Sequence, residues 1–149
     1  VDIRAATPGD LHAVRRLLEA AHLPTADLDE RAMSRFLVAE REGSVVGAAA
    51  CEPAGQTHGL LRSLVVAPEF QGRGLGERLV AEIEAVASKQ GIRTLYLLTE
   101  TAEGFFHTLG YAAADRREAP QEIRATSEFT RLCPASAACL RKHLGASPG

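Results

Sequence analysis

The 149-residue chain has no long apolar run, no excess of one charge and few cysteines, and each shortage removes a class of function. Its apolar stretches fall far short of the roughly 20 residues that a helix needs to span a bilayer. The start Val1-Asp2-Ile3-Arg4 lacks the pattern of a signal peptide. Lysine and arginine number 17 against 19 aspartates and glutamates, a net charge of −2 with the signs interspersed. Neither a basic face for nucleic acid nor a cationic amphipathic helix for a membrane is on offer, so neither is an expected partner. The three cysteines, Cys51, Cys133 and Cys139, are odd in number and have no CxxC spacing. A disulfide framework and a zinc site are therefore not expected, and the cysteines read as small buried residues. What is left is a cytoplasmic protein, and 46% hydrophobic residues without a linker-like tract suit one compact domain over residues 1–149.

Against these shortages stands a concentration of glycine. Gln71-Gly72-Arg73-Gly74-Leu75-Gly76 lies between a strand-like run, Leu60 to Val66, and a helix-like run, Glu77 to Gln90. Glycines remove the side chains that would keep an anion away and let backbone N–H groups face one point. The open amides and positive dipole end of a helix beginning near Gly74 favour phosphate, and Arg73 adds a charge that can pair with it. A diphosphate is the expected ligand. Two common phosphate loops fail on spacing. Gly76 is followed by Glu77-Arg78 instead of Lys-Ser/Thr, and Glu77 stands where the dinucleotide fingerprint has its third glycine.

Around that loop the chain reads as strands alternating with helices. Asp2 to Ala6 is a short strand, and Thr7-Pro8-Gly9-Asp10 starts a helix. Leu11, Val14, Leu17, Leu18 and Ala21 recur at helical spacing, predicting a helix over Asp10 to His22, and a second short helix is predicted over Leu28 to Met33. Phe36 to Glu40 and Val45 to Cys51 flank the turn Arg41-Glu42-Gly43-Ser44 as a hairpin, and Leu60 to Val66 extends the antiparallel meander. Leu75, Leu79, Ile83 and Val86 form the apolar stripe of a central helix that Gly91 ends. Leu95 to Leu98 is a buried strand, parallel to Leu60 to Val66 because the helix supplies the crossover. A short helix over Ala102 to Leu109, a strand near Ala112 to Asp115 and a turn or helix around Pro120 to Ala125 follow. A strand over Glu128 to Cys133 and a closing helix over Pro134 to His143 complete the expectation.

The run Leu64-Val65-Val66-Ala67-Pro68-Glu69-Phe70-Gln71-Gly72-Arg73-Gly74-Leu75-Gly76 resembles the acetyl-CoA signature of the GNAT superfamily of N-acetyltransferases. That signature is a strand, a proline turn and then Gln/Arg-x-x-Gly-x-Gly/Ala. The resemblance implies a mixed α/β GNAT fold, a mostly antiparallel sheet of about seven strands flanked by helices, with a central parallel pair splayed at the acetyl-CoA site. It implies acetyl-CoA as cosubstrate and no metal. The diphosphate would sit on Gln71, Gly72, Arg73, Gly74, Leu75 and Gly76, and the pantetheine arm against Leu64, Val65 and Val66. Thr99 would bond the pantetheine or order a water, and a backbone N–H near Val66 would hold the oxyanion. The first two helices would border the acceptor pocket. Superfamily members often pair through C-terminal strands, which allows a homodimer that no patch in the sequence specifies.

Many members also carry a tyrosine in a Leu-Tyr-x-x-x-Gly-Phe-like run, as the acid for the leaving thiolate. Here Phe105-Phe106-His107-Thr108-Leu109-Gly110-Tyr111 puts Phe106 in that place. Direct attack of the amine with water-mediated protonation of the thiolate is then the economical mechanism. Tyr111, His107 and Tyr96 are substitutes that read first as structural side chains. The longer run Leu95 to Tyr111 resembles the acetyltransferase domain of N-acetylglutamate synthases, and Phe129-Thr130-Arg131-Leu132-Cys133 resembles that family's Tyr-x-Arg-x-Ser strand. Arginine and serine there hold the substrate's carboxylate. The resemblance makes Arg131 the leading carboxylate clamp, with Arg62 and Arg124 as further cations, while Cys133 replaces the serine. Leu61-Arg62-Ser63, Leu98 to Glu103 and Glu128 to Pro134 look like the small GNAT proteins associated with arsenic resistance, which implies a glutamate-like acceptor carrying arsenic, such as arsinothricin. Glu52 and Glu100, near strand ends at the cofactor side, are the candidate general bases. The expected activity is acetyl transfer to the α-amine of a small, glutamate-like amino acid. A protein or peptide N-acetyltransferase and a non-catalytic acetyl-CoA-binding sensor stand as alternatives.

Overall fold

The computed structural model describes residues 1–132 and 136–145. Its strands are β1 (Asp2–Ala5), β2 (Phe36–Arg41), β3 (Ser44–Ala54), β4 (His58–Val66), β5 (Thr94–Thr99), β6 (Ala112–Ala113) and β7 (Ala138–His143). They form one sheet in the order β1-β2-β3-β4-β5-β7-β6. Four helices join them, α1 (Leu11–Ala20), α2 (Leu75–Lys89), α3 (Glu103–Thr108) and α4 (Gln121–Arg124). β4 and β5 are parallel, as a crossover through a full helix requires, with register His58↔Thr94, Gly59↔Leu95 and Leu60↔Tyr96. Among the described residues that register ends at Leu60, although β4 runs on to Val66. The chain divides into two compact units, Val1–Cys51 with Ser63–Ala85, and Glu52–Arg62 with Val86–Gly149.

In the first unit, Val14 and Leu18 on α1 pack with Met33, Phe36, Val38, Ala48, Ala50 and Val65. The four-residue spacing of Val14 and Leu18 puts both on one helix face, which is why this face is the buried one. α1 ends with His22 at φ 58°, where the His22 amide donates to Glu19 O at 3.1 Å and the Leu23 amide to Leu18 O at 2.9 Å. That pattern satisfies the last carbonyls of the helix. The β2–β3 hairpin turns on Glu42 (φ 50°) and Gly43 (φ 82°), the left-handed pair that matches strand twist. Gly47 on β3 allows α2 to lie close, since a Cβ there would come within 3.1 Å of Leu79 Cδ1 and 3.2 Å of Val65 O. The predicted helix over Leu28 to Met33 is instead a 3-10 turn, Arg31–Arg35. Asp29 Oδ1 accepts from the Ala32 amide at 2.8 Å and so sets the later start.

In the second unit, the core is Ala54, Leu60, Tyr96, Leu98, Ala119, Ile123, Phe129, Ala137 and Cys139. β7 has strand partners on both sides, pairing with β5 from Thr94↔His143 to Thr99↔Ala138 and with β6 at Ala112↔Arg141 and Ala113↔Leu140. Two expectations are corrected here. The predicted helix over Pro134 to His143 is strand β7 over its described end, because pairing on two edges outweighs the helix propensity of alanine, leucine, arginine and lysine. The predicted strand over Glu128 to Cys133 is a π-helical turn, Glu128–Leu132, with Cys133 outside the described residues. Hydroxyls favour that turn. Thr126 Oγ1 donates to Ile123 O at 2.7 Å, and Thr130 Oγ1 to Thr126 O at 3.0 Å. The strand expected to reach Asp115 stops at Ala113, and Asp115 Oδ1 accepts from the Arg117 amide at 2.8 Å to open a 3-10 turn. Cys51 and Cys139 are buried, and burial pushes the Cys139 thiol up.

The N-terminal strand is tied to α1 by one arginine between two carboxylates. Arg4 Nη1 and Nη2 donate to Asp10 Oδ2 and Oδ1 at 2.8 and 3.0 Å, and Arg4 Nε to Glu40 Oε2 at 2.7 Å. The Thr7 amide also donates to Asp10 Oδ2, at 2.8 Å. The Arg4 hydrogen bonds, reinforced by Thr7, hold the Asp10 carboxyl down from 3.8 to about 2 against the opposing effect of burial. A depressed folded value stabilises above the unfolded value, and the gain is lost as pH falls through the folded one. Asp10→Asn is expected to destabilise by about 2 kcal/mol at pH 7, a gap that closes towards pH 2. Urea unfolding at the two pH values checks this, and an equal gap at both would contradict it.

Candidate active site

The glycine loop lies wholly in the first unit. β4 ends at Val66, Ala67 donates its amide to Val46 O at 2.8 Å, and Pro68–Phe70 makes one 3-10 turn. Gln71 Nε2 then reaches back to Val66 O at 3.0 Å, tying the loop to the strand end. Gly72 (φ 76°) and Gly74 (φ 81°) both take the left-handed region, and a Cβ on either would meet no described atom within 4 Å. Conformation, not crowding by the protein, requires glycine there, and the space above the loop is open to a ligand. The Arg78 amide donates to Gly74 O at 3.1 Å, so the amides ahead of it sit in the first turn of α2, where helix geometry leaves N–H groups without intrahelical acceptors. Arg73 and Arg41 each place a guanidinium 5.5 Å from the centre of the Phe70 ring, and no local pattern ties Arg41 to Phe70, 29 residues on. Leu75 is buried and anchors the helix start. A helix start preceded by two left-handed glycines, with two arginines over Phe70, suits a diphosphate.

Leu64 and Val66 are half-buried, whereas Val65 enters the first unit's core. Just before them Ser63 stands at φ 59°, a left-handed residue inside a strand, which breaks the two-residue alternation of side chains. No composition signal marks a serine for that conformation.

The second unit holds Glu52, Arg62, Thr99, Glu100, Arg124 and Arg131. Arg62 Nη1 donates to Glu52 Oε1 at 3.2 Å, and Arg62 Nε lies 3.5 Å from Glu128 Oε2. Two residues nominated for different roles, Glu52 as base and Arg62 as cation, are thus brought into one cluster, together with Glu128, which was not nominated. Side-chain exposure is 7% for Glu128, 9% for Arg62 and 20% for Glu52. Arg124 is exposed and directed into its own turn, with Nε donating to Ala119 O at 2.9 Å and Nη2 to Gln121 Oε1 at 3.1 Å. The Arg131 side chain lies outside the described residues. Thr99 Oγ1 accepts from the Ala102 amide at 3.0 Å, fastening the turn into α3, and its O–H remains able to donate. Glu100 is exposed. Phe106 is buried edge-on against Tyr111 and Phe105, with ring centres 5.6 and 5.1 Å apart. His107 Nδ1 is bonded to Tyr111 O at 2.9 Å, consistent with the structural reading of these side chains. Among the described residues no group of three or more His, Cys, Asp or Glu is placed to hold a metal, and no helix is long and apolar enough to cross a membrane.

A model of the acetyltransferase (GNAT) domain family matches residues 32–113. The chain belongs to the GNAT family. An amino-acid acetyltransferase from Ralstonia nicotianae is 32% identical to this GNAT chain over 136 residues, 87% of this chain and 30% of that protein. An uncharacterized N-acetyltransferase from Chlorobaculum tepidum is 38% identical over 106 residues, 70% of this chain and 64% of that protein. The structure of N-acetylglutamate synthase from Neisseria gonorrhoeae, complexed with coenzyme A and N-acetyl-glutamate, is similar at a TM-score of 0.84 and 28% identity, over 97% of this chain and 35% of that one. The chain therefore spans less than two thirds of the length of each of these relatives. The matched family segment contains the glycine loop, Glu52, Arg62, Thr99 and Glu100, and ends before Arg124, Glu128 and Arg131.

Proposed function

We propose that this GNAT chain is an acetyl-CoA-dependent N-acetyltransferase acting on the α-amine of a small, glutamate-like amino acid. The observation that carries the reading is the loop, in which two left-handed glycines leave open space at the start of a 15-residue helix. That arrangement suits the diphosphate of coenzyme A. The acceptor class is supported by the likeness to proteins named amino-acid acetyltransferase and to an N-acetylglutamate synthase. An arsenic-containing analogue such as arsinothricin is the narrower form of the proposal. A cytoplasmic setting and pairing into a homodimer belong to it as well.

In the reaction the acceptor's neutral amine attacks the thioester carbonyl, a C–N bond forms, the attacking nitrogen gives up its extra proton to solvent, and the C–S bond breaks to release the thiolate. The ammonium proton must first leave, for which Glu52 or Glu100 is the proposed acceptor, directly or through water. The oxyanion takes a backbone N–H near Val66. With a buried phenylalanine at position 106, the thiolate is protonated by solvent, which its intrinsic pKa of about 8.5 permits near neutral pH.

Three experiments test the proposal. Acetyl-CoA-dependent thiol release is measured with glutamate, phosphinothricin, arsinothricin and basic peptides as acceptors. Turnover confined to the acidic amino acids or their analogues is expected. Turnover with peptides alone would move the acceptor class to protein N-termini or lysines, and tight acetyl-CoA binding without any turnover would make the chain a sensor. Gly74→Glu, which sets bulk and negative charge against the diphosphate, is expected to weaken acetyl-CoA binding by about 100-fold in calorimetry, and retained affinity would remove the loop from the cofactor site. Arg131→Ala is expected to raise the acceptor KM about tenfold or more with little change in the acetyl-CoA KM, and equal changes in both would take Arg131 out of the acceptor pocket.

A further inference from the structure

We infer that Glu128 is a positioning residue for the acceptor end of the site: it anchors Arg62, and through Arg62 it fixes the carboxylate of Glu52. The inference rests on the transferase reading above. Arg62 is engaged at two different nitrogens: Nη1 donates to Glu52 Oε1 at 3.2 Å, and Nε makes an ion-pair contact with Glu128 Oε2 at 3.5 Å. A planar guanidinium held at one nitrogen can still swing, and a buried carboxylate at a second nitrogen restrains that swing by charge. Exposure rises along the chain of contacts, from 7% at Glu128 through 9% at Arg62 to 20% at Glu52. Glu128 is thus the inner anchor, and Glu52 is the member that an incoming ammonium meets first.

The anchor itself is held. Glu128 opens the π-helical turn Glu128–Leu132, the kind of irregular turn that recurs at functional sites. The turn is fastened by Thr130 to Thr126, and by Arg116, whose Nη2 donates to Phe129 O at 3.3 Å and whose guanidinium lies 5.5 Å from the Phe129 ring centre. Glu52 itself brings the negative charge that favours an ammonium beside it. Arg62 accordingly acts as a strut between two carboxylates of its own chain, and the role of cation for the acceptor's carboxylate falls to other residues.

The test is a double-mutant cycle on acceptor kinetics. Glu128→Gln keeps the shape and removes the charge. Its kcat/KM for the acceptor is expected to fall about tenfold, with the acetyl-CoA KM within about twofold of wild type. Glu128→Asp is expected to recover part of the loss, and Glu128→Gln combined with Arg62→Met to cost no more than Arg62→Met alone, because Glu128 acts through Arg62. Wild-type kinetics in Glu128→Gln, equal shifts in both KM values, or multiplying effects in the double variant would each overturn the inference. Should Glu128→Gln fail to fold, Arg62→Lys decides: a lysine keeps the charge but not the two-sided grip, so it is expected to behave like Arg62→Met, and wild-type kinetics would refute the strut. A wild-type protein inactive on every amine would bring down the transferase reading and this inference together, whereas an active wild type with an unaffected Glu128→Gln overturns the inference alone.

Discussion

One strand, β4, has to serve two packings at once, and the chemistry of the chain depends on how it does so. His58 to Arg62 belong to one compact unit and Ser63 to Val66 to the other, with Ser63 at φ 59° where the change occurs. A left-handed residue other than glycine costs on the order of 1–2 kcal/mol, so the strand keeps it only because packing on either side over-determines it. The consequence is a break in alternation. Arg62 can join an ionic cluster while Val65, three residues on, enters an apolar core with Val14, Leu18 and Phe36. A regular strand would put residues three apart on opposite faces too, but would carry Leu64 to the face of Arg62 without interruption.

Among the described residues two arginines, Arg4 and Arg62, stand between pairs of carboxylates, and their burial separates their roles. Arg4, with 37% of its side chain exposed, links Asp10 and Glu40 near solvent, where screening limits what the pairs add to stability. Arg62 and Glu128 are almost wholly buried, so the cost of desolvating them is large and the mutual attraction has to offset it. Three apolar side chains of similar volume would commonly pack at least as stably. Stability is thus a weak reason for the Glu52, Arg62 and Glu128 cluster, and a requirement for charge held in a fixed place is a stronger one.

Local chemistry was enough to read much of the chain. Gly72 and Gly74 are where the backbone turns left-handed, the Leu75, Leu79 and Ile83 stripe is buried, Glu42-Gly43 turns the hairpin, and a helix between β4 and β5 makes them parallel. What escaped reading depends on partners distant in sequence. The residues Ala138–His143 favour a helix by themselves, yet edges offered by β5 and β6 draw them into a strand. Glu128 to Leu132 reads as a strand from its likeness to a Tyr-x-Arg-x-Ser strand, yet threonine hydroxyls and Arg116 close it as a wide turn. Arg62 and Glu128 are 66 residues apart, and nothing local in either sequence neighbourhood announces the other. Arg124 was named for its charge, but its guanidinium closes its own helical turn. Charge type could be read from the sequence, whereas its direction could not.

On the transferase reading, the same contrast explains why a buried phenylalanine at position 106 is tolerable where relatives often carry an acid. Protons must leave the acceptor's nitrogen, one before attack and one as the amide forms, and one must be taken up by the thiolate. An α-amine titrates near 8 in peptides, so most of it is protonated at neutral pH, whereas a thiolate near 8.5 is already an acceptable leaving group in water. The first proton is the harder requirement. A carboxylate near the acceptor's ammonium would answer it, the role proposed for Glu52 beside Arg62 and Glu128. The thiolate's proton can be left to solvent, which frees position 106 to pack edge-on between Phe105 and Tyr111 and steady α3 beside the strand that ends in Thr99. On that reading, direct attack asks the chain for a carboxylate near the acceptor's ammonium and asks no acid of position 106.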